Sequence, residues 1–255
     1  MNATVRPSPD PALFGEQSAR DARFAVKEVW LDLANLPDGH PEKQNEFLHR
    51  QMNEEMNVME NAARNLYDYP EAEWDVRFWL ARQVADEARH TLAYRKAYER
   101  RGGVVGAYPV LGFQFRALGM VEGLVARLAV QNRTFEADGL DAVTHAIVEA
   151  REMGDEDLAL QYEAQQADEV LHVRFANEYI RAQVKKQPRL ILSLSRALAQ
   201  AARAFEQTWA GGGTKQIKYR IAQEARAEAG FQAGEIELAV QLNEQRVVTV
   251  KAGGD

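Results

Sequence analysis

The sequence predicts an all-α protein built on a four-helix bundle, and three observations support this fold class. Four long segments carry apolar residues at every third or fourth position, which is the period of a half-buried helix. Two of these segments contain the same hexapeptide, Ala-Asp-Glu-x-x-His, at residues 85–90 and 167–172. No strand-rich region is visible, and only residues 247–250 have local β character.

The first part of the chain predicts an N-terminal arm and two antiparallel helices. Residues 1–43 are punctuated by prolines and indicate an arm that wraps the body. A helix is predicted over residues 44–67. The turn follows at Tyr69-Pro70, because a residue before proline avoids the helical region. The second helix then extends to about residue 101, where Gly102-Gly103 ends it.

The second part predicts the remaining bundle helices. A third helix is expected over residues 113–138, with a break at Gly139-Leu140-Asp141 and a short helix over 142–153. Gly154-Asp155 restarts the chain, since Asp is a favourable N-cap, and a fourth helix extends to residue 186. Accessory helices are predicted over 190–209 and 214–245. The expected organisation is thus an arm (1–43), a di-metal bundle (44–186) and accessory C-terminal helices with a tail (187–255).

The composition limits the classes of function. The 255 residues are 46% hydrophobic, as in an ordinary globular protein, and carry a formal net charge of −7. This charge and the lack of a Lys/Arg-rich run argue against nucleic acid as a partner. The chain has no cysteine, which excludes disulfides, thiolate zinc sites and iron–sulfur clusters. No secretory signal or long apolar window is visible, so we expect a cytoplasmic protein without a membrane partner.

The repeated motif predicts a metal site. Residues three apart lie on one face of a helix, so Glu87 and His90 aim a carboxylate and an imidazole at one point. Glu169 and His172 repeat this arrangement. The alternative is that each Glu and His pair only with each other, since burying them unpaired is costly. The preceding Asp86 of the first motif, like Asp168 of the second, is either an exposed acid or an acceptor that holds an imidazole in one tautomer.

The other two bundle helices are expected to supply one glutamate each, because this is a known ligand pattern of carboxylate bundles. In the third helix, Glu136 continues the apolar stripe and is the preferred ligand. Glu122 lies too far along the chain from Glu169 to meet it easily. In the first helix, Glu55 lies in the apolar stripe and is preferred to Glu60. The predicted metal ligands are therefore Glu55, Glu87, His90, Glu136, Glu169 and His172.

Other histidines and aromatic residues are expected to play structural roles. Surface or capping positions are predicted for His40, His49 and His145. Core packing, rather than redox chemistry, is predicted for Trp79, Tyr94 and Tyr162.

Taken in order, Glu55, Asp86-Glu87-x-x-His90, Glu136 and Asp168-Glu169-x-x-His172 resemble the ferritin-like di-iron carboxylate superfamily. Local phrases such as Tyr69-Pro70-Glu71-Ala72 and Gly154-Asp155-Glu156 are similar to an uncharacterised ferritin-like branch that is distantly akin to tRNA-modifying di-iron hydroxylases. The resemblance covers about residues 44–186. In that branch the first helix carries two glutamates five apart, which Glu55 and Glu60 match, and a histidine where this chain has Asn53.

The resemblance implies two iron ions and chemistry with dioxygen. Six oxygen and nitrogen ligands suit Fe(II), with Mn(II) as the alternative. The expected function is a di-iron oxidase or hydroxylase of a small molecule or a modified nucleoside, so tRNA is the one nucleic acid considered as a substrate. Electrons are expected from an external donor, and a homodimer is left open. The alternatives are an iron-binding or storage protein, a di-manganese peroxide-disproportionating enzyme, and a metal-free helical interaction module.

Overall fold

A computed structural model of the protein describes residues 12–16, 22–27, 36, 40–209 and 220–252. It is an all-α helical bundle, as the sequence predicts. The helices, in chain order, are α1 (Lys43–Asp68), α2 (Trp74–Arg100), α3 (Phe113–Gly119), α4 (Leu124–Val130), α5 (Glu136–Glu152), α6 (Glu156–Lys186), α7 (Leu190–Trp209), α8 (Gln223–Glu228) and α9 (Ala233–Ala252).

The bundle has four long members, namely α1, α2, the continuous segment from α4 to α5, and α6. A π-helical segment, Gln131–Phe135, joins α4 to α5 without a break, so residues 124–152 form one member. Helix α1 packs against α2, and α5 packs against α6. The guanidinium of Arg77, at the start of α2, donates to the carbonyl of Leu66, near the end of α1, at 3.1 Å. Leu48 and Met52, in the first part of α1, share an apolar cluster with Tyr94 and Tyr98, near the end of α2. The two helices are therefore antiparallel, as their short connection predicts.

The core of the bundle consists of two apolar clusters with a polar layer between them. On α2, Val76 and Leu80 belong to one cluster, whereas Tyr94 and Tyr98 belong to the other. The buried α2 residues between Leu80 and Tyr94 are all polar: Gln83, Glu87 and His90. The same change from apolar to polar and back occurs along α6 between Tyr162 and Phe175, apart from the apolar Val170 and Val173. The two apolar clusters therefore enclose the polar layer on both sides.

The predicted break at Gly139-Leu140-Asp141 is wrong. The chain breaks earlier, between α3 and α4, where Gly123 adopts a φ of +86°. Gly139 lies inside α5. The helix tolerates it, because one glycine in a helix costs only about 1 kcal/mol relative to alanine. Asp141 is buried in the helix and accepts a hydrogen bond from Arg226 at 2.7 Å. A distant partner thus satisfies a residue that locally favours a turn.

The C-terminal prediction also needs correction. The helix predicted over residues 214–245 is divided, since α8 ends before Gly230, whose φ is +84°, and α9 begins at Ala233. Residues 214–219 lie outside the described part of the chain. Residues 247–250, for which the sequence indicated β character, are helical in α9. The helix predicted over 190–209 is confirmed as α7.

The described residues of the N-terminal segment contact the helical body. Leu13 and Phe14 are buried in an apolar cluster with Phe113 of α3 and Ala204 of α7. Two short strands, β1 (Val26–Lys27) and β2 (Val110–Leu111), pair in parallel. Within the described ranges, no helix combines the length and the apolar character needed to cross a membrane.

Candidate metal centre

Six side chains converge in the polar layer, and they are the six predicted ligands. They come from α1, α2, α5 and α6, and all are buried: Glu55, Glu87, His90, Glu136, Glu169 and His172. Their ligand atoms form two groups of four, and within each group the atoms lie within 4.8 Å of one another. Glu55 and His90 belong to the first group, and Glu136 and His172 to the second. Both groups contain Glu87 and Glu169, so the two groups share one centre.

Each imidazole presents its Nδ1 atom to the carboxylates. For His90, Nδ1 lies 3.0 Å from Glu87 Oε2 and 3.5 Å from both Glu55 Oε2 and Glu169 Oε1. For His172, Nδ1 lies 3.1 Å from Glu87 Oε1 and 3.3 Å from Glu169 Oε2. The Nδ1 atoms are therefore the nitrogen ligands that the site offers to a metal ion.

The Nε2 atoms point away from the carboxylate cluster, towards the aspartates of the facing motif. His90 Nε2 on α2 lies 3.2 Å from Asp168 Oδ2 on α6, and His172 Nε2 on α6 lies 3.2 Å from Asp86 Oδ2 on α2. The Arg89 guanidinium joins the two aspartates, at 2.8 Å from Asp86 and 2.7 Å from Asp168. These contacts support the interpretation of Asp86 and Asp168 as acceptors for the imidazoles.

Two glutamines that the sequence reasoning missed orient the outer glutamates. Gln83 Nε2 donates to Glu136 Oε1 at 2.5 Å, and Gln165 Nε2 donates to Glu55 Oε1 at 2.9 Å. Each glutamine lies four residues before the Glu of its motif. The signal was present in the sequence, since the longer frame Gln-x-Ala-Asp-Glu-x-x-His occurs at residues 83–90 and 165–172.

The two glutamines are held in different ways. Gln83 Oε1 accepts from Asn132 Nδ2 at 3.1 Å, whereas Gln165 Oε1 accepts from the Tyr94 hydroxyl at 2.8 Å. Tyr94 and Tyr162 are buried core aromatics, as expected. Trp79 is half-buried and stacks on Phe175, with ring centroids 5.9 Å apart. The centre is thus nearly symmetric in its ligands but not in the groups that surround them.

Burial and mutual contact shift the pKa values of the cluster in opposite directions. Burial raises the pKa of Glu55 and Glu136 well above the usual range. Burial acts in the same direction on Glu169, but hydrogen bonds from His172 and His90 outweigh it and lower the pKa of that carboxyl. Burial would lower the pKa of both imidazoles, but the surrounding carboxylates raise it. Protonated imidazoles therefore balance the ionised carboxylates, and a divalent ion that binds there must displace protons.

The residues present fit a metal ion. The donor set consists of carboxylate oxygens and imidazole nitrogens, which divalent first-row metals accept. Glu87 Oε1 is buried, and its close contact among the described residues is the His172 Nδ1 atom at 3.1 Å. When His172 is neutral with its proton on Nε2, neither of these two atoms can donate to the other, and coordination of a metal ion would satisfy both. The buried glutamates and histidines can hold a metal ion.

Other predicted positions lie outside the centre. Glu60 is half-buried and belongs to neither group of four, and Glu122 is exposed. Asn53 is buried, and its Nδ2 donates to the Leu111 carbonyl at 2.7 Å. The side-chain amide of Asn53 therefore holds α1 against the segment that precedes α3.

The prediction that His49 lies at the surface or in a cap is wrong. Its side chain is fully buried, and its Nε2 accepts a hydrogen bond from Gly106 N at 2.9 Å. Rings of Tyr98 and Tyr108 lie against it, with centroids 5.3 and 5.6 Å away. Burial lowers the pKa of His49 to about 4. The remaining two histidines meet the expectation, since His40 is exposed and accepts from the Glu42 amide, and His145 pairs with Glu149.

A cleft between α1 and α5 opens onto the centre. Its volume is about 220 Å³. Three of the six predicted ligands, Glu55, Glu136 and Glu169, line it. Most of its other wall residues are apolar, and Phe205 of α7 contributes to the wall. The aspartate–arginine contacts lie on the Nε2 side of the imidazoles, so the cleft approaches the centre from the carboxylate side.

The chain matches a protein-family model over residues 12–237, and this family is described as Protein of unknown function (DUF455). The match spans most of the chain, so the protein belongs to this family. No curated protein and no solved structure matches it.

Proposed function

We propose that this DUF455 protein holds two divalent ions, iron in the working state, and uses dioxygen to oxidise a small molecule. The proposal extends the resemblance of its motifs to the ferritin-like di-iron carboxylate superfamily. One observation carries it: the cleft between α1 and α5 reaches Glu55, Glu136 and Glu169. A site that only stored a metal would not need a mostly apolar cleft of ligand size beside its ligands.

The two groups of four define which residues would hold each ion. Glu55 and His90 would hold one ion, and Glu136 and His172 would hold the other. Glu87 and Glu169 belong to both groups and would contact both ions. Four carboxylates neutralise two divalent charges, which makes the loaded centre compatible with a dry interior. Bound iron supplies the electrons and the Lewis acidity that dioxygen chemistry requires.

The surrounding residues position the ligands. Asp86 and Asp168 accept from the Nε2–H groups, so the Nδ1 lone pairs would be directed at the centre once a metal ion has displaced the Nδ1 protons. Gln83 and Gln165 donate to Glu136 and Glu55 and restrict the orientation of these carboxylates. The apolar clusters shield the layer from solvent on two sides. The protein thereby contributes orientation and a dry environment.

The net reaction of a hydroxylation is balanced as follows. A C–H bond of the substrate and one dioxygen molecule, with two electrons and two protons, yield a C–OH bond and one water. The two electrons must come from an external donor, because the chain has no cysteine for an iron–sulfur relay.

An anaerobic Fe(II) titration followed by exposure to oxygen tests the proposal. We expect saturation at about two ions per chain, from the ligand pattern of such bundles. Oxygen should then give one oxidation event, which stops until an external reductant is added. Iron uptake that continues to tens of ions per chain would show a store instead. Dioxygen release from hydrogen peroxide by the Mn(II)-loaded protein, without a reductant, would show peroxide disproportionation.

A further inference from the structure

We propose that the cleft between α1 and α5 takes a compact, uncharged molecule built on one or two fused rings. It excludes phosphorylated compounds and polynucleotides. That this molecule is the substrate rests on the proposed function, whereas its binding to the cleft does not. The inference combines the volume of the cleft, its walls, its charges and its neutral hydrogen-bonding groups.

The volume sets the size of the ligand. The cleft measures about 220 Å³. For comparison, an apolar cavity of about 150 Å³ binds benzene. The cleft therefore has room for a substituted ring or a bicyclic body of roughly ten non-hydrogen atoms. A complete nucleotide does not fit within this volume.

The walls favour a ring system. Four phenylalanines, from α1, α3, the π-helical segment and α7, line the cleft: Phe47, Phe113, Phe135 and Phe205. The Phe113 ring meets Phe135 edge to face, with centroids 5.7 Å apart, and meets Phe205 in the same way at 6.0 Å. Aromatic rings prefer such offset or edge contacts with other rings. A flat aromatic ligand can extend this arrangement.

The charges in the lining disfavour an anion. Apart from the metal-ligand glutamates, the charged lining residues are Arg50, Glu54 and Asp138. Arg50 Nε pairs with Glu46 at 2.9 Å, so the cation of the lining already has a carboxylate partner. Asp138 likewise pairs with Arg226 at 3.2 Å, and Glu54 would repel an anionic ligand. An unpaired charge buried in the cleft would lose its hydration without compensation.

Neutral hydrogen-bonding groups are available. Gln131 is buried and lines the cleft, and its Nε2 has no acceptor among the described residues. Gln114 also lines the cleft, and its Oε1 has no donor there. Unmatched buried amide atoms of this kind call for a partner. A single hydroxyl or carbonyl group on the ligand would supply one.

Gly139 allows the cleft to be altered without touching a predicted ligand. It lies within α5 at the cleft, and a Cβ at this position would meet no atom within 4 Å. A glycine inside a helix costs about 1 kcal/mol relative to alanine, so a larger residue is tolerated by the backbone. Gly234 in α9 offers a matched control, because a Cβ there also meets nothing within 4 Å.

The test uses β-naphthol and β-naphthyl phosphate, which share a ring system and differ in charge. Calorimetry is performed on the full chain, both metal-free and loaded with Mn(II). We expect β-naphthol to bind at least about tenfold more tightly than the phosphate, a difference of about 1.4 kcal/mol. Gly139→Leu should weaken β-naphthol binding by about tenfold or more. Gly234→Leu should leave it unchanged.

Equal or tighter binding of the phosphate, or binding of transfer RNA that Gly139→Leu abolishes, would overturn the proposal. The two probes test the ligand class on the unmodified protein, even if Gly139→Leu does not fold. Absence of β-naphthol binding, with two-iron oxidation intact, removes the ligand class and leaves the proposed function. Binding of β-naphthol by a protein that takes up no metal removes the proposed function and leaves the cleft as a binding site.

Discussion

The Nε2 atom of His90 on α2 lies 3.2 Å from the Oδ2 atom of Asp168 on the facing helix α6. The partner of the Nε2 atom therefore comes from the second motif, whereas the Nδ1 atom lies 3.0 Å from Glu87 of its own motif. Asp86 and His172 make the reverse contact at the same distance. Each motif is completed by the other, so the orientation of both imidazoles depends on how α2 and α6 are packed.

The first prediction concerns this exchange. Asp168→Asn should weaken the binding of the first-row metal ion at His90 by about 10- to 100-fold, because the imidazole loses a charged acceptor. Competition with a chelator of known affinity measures the effect with Co(II) or Mn(II). Asp157→Asn, on an exposed position of the same helix, is the control. Equal affinities for the two variants would show that Asp168 does not orient a ligand.

The second prediction concerns metal and stability. A metal ion that binds only the folded state stabilises it by about 2.7 kcal/mol at a concentration 100-fold above its dissociation constant. For a chain of this size we expect Fe(II) or Mn(II) to raise the melting temperature by roughly 5–10 °C. A chelator should reverse the shift. A melting curve that is independent of metal, with no ion at the centre in a soaked crystal, would contradict metal binding.

The third prediction separates the two glutamates of α1. Glu55 belongs to a group of four potential ligands, and Glu60 does not. Glu55→Ala should therefore lower the metal content from about two ions per chain towards one, whereas Glu60→Ala should leave it near two. Metal analysis after dialysis decides between them. A metal-bound structure with the Glu60 carboxylate at bonding distance, and Glu55 turned away, would reverse the assignment.

The fourth prediction concerns pH and the buried His49, whose pKa burial lowers from 6.5 to about 4. Between these values the unfolded chain binds a proton that the folded chain does not, so stability falls as the pH falls. The contribution is fully present above the unfolded pKa. We expect a loss of about 2 kcal/mol between about pH 7.5 and about pH 5 that depends on His49.

Urea unfolding of the metal-free protein at both pH values measures this loss. The comparison is with His49→Gln, which removes the titrating group and should show a correspondingly smaller pH dependence. His145→Gln changes a surface histidine and serves as the control. If wild type and His49→Gln lose the same free energy of unfolding, His49 does not titrate as the structure indicates.

Much of the centre could be predicted from the sequence because its main signals are local. The spacing of Glu87 and His90 places both on one helix face whatever the helix packs against. The apolar stripes that contain Glu55 and Glu136 have the same local origin, and the structure brings all six residues together. Their role as metal ligands stays a prediction. The longer repeat that includes Gln83 and Gln165 was equally local and could have been found.

Local sequence signals were less informative where a residue that is distant in the chain decides whether a polar side chain is buried. Gly139 and Asp141 were interpreted as a break, but Arg226, 85 residues away along the chain, satisfies Asp141 inside α5. His49 was placed at the surface, but the Gly106 amide, 57 residues away, pairs with it in the interior. In both cases the polar residue is stabilised by a contact that a window of sequence does not contain.

By itself, the sequence determined the helical class of the fold and the two helix faces that carry carboxylates and imidazoles, because helical periodicity relates residues only three or four positions apart. The tertiary structure decided which groups meet across those faces. It pairs His90 with Asp168 and Gln165 with Glu55, at separations of 78 and 110 residues, and it leaves the cleft between α1 and α5. These contacts depend on the rotation and register of packed helices, which side-chain packing of the whole core sets.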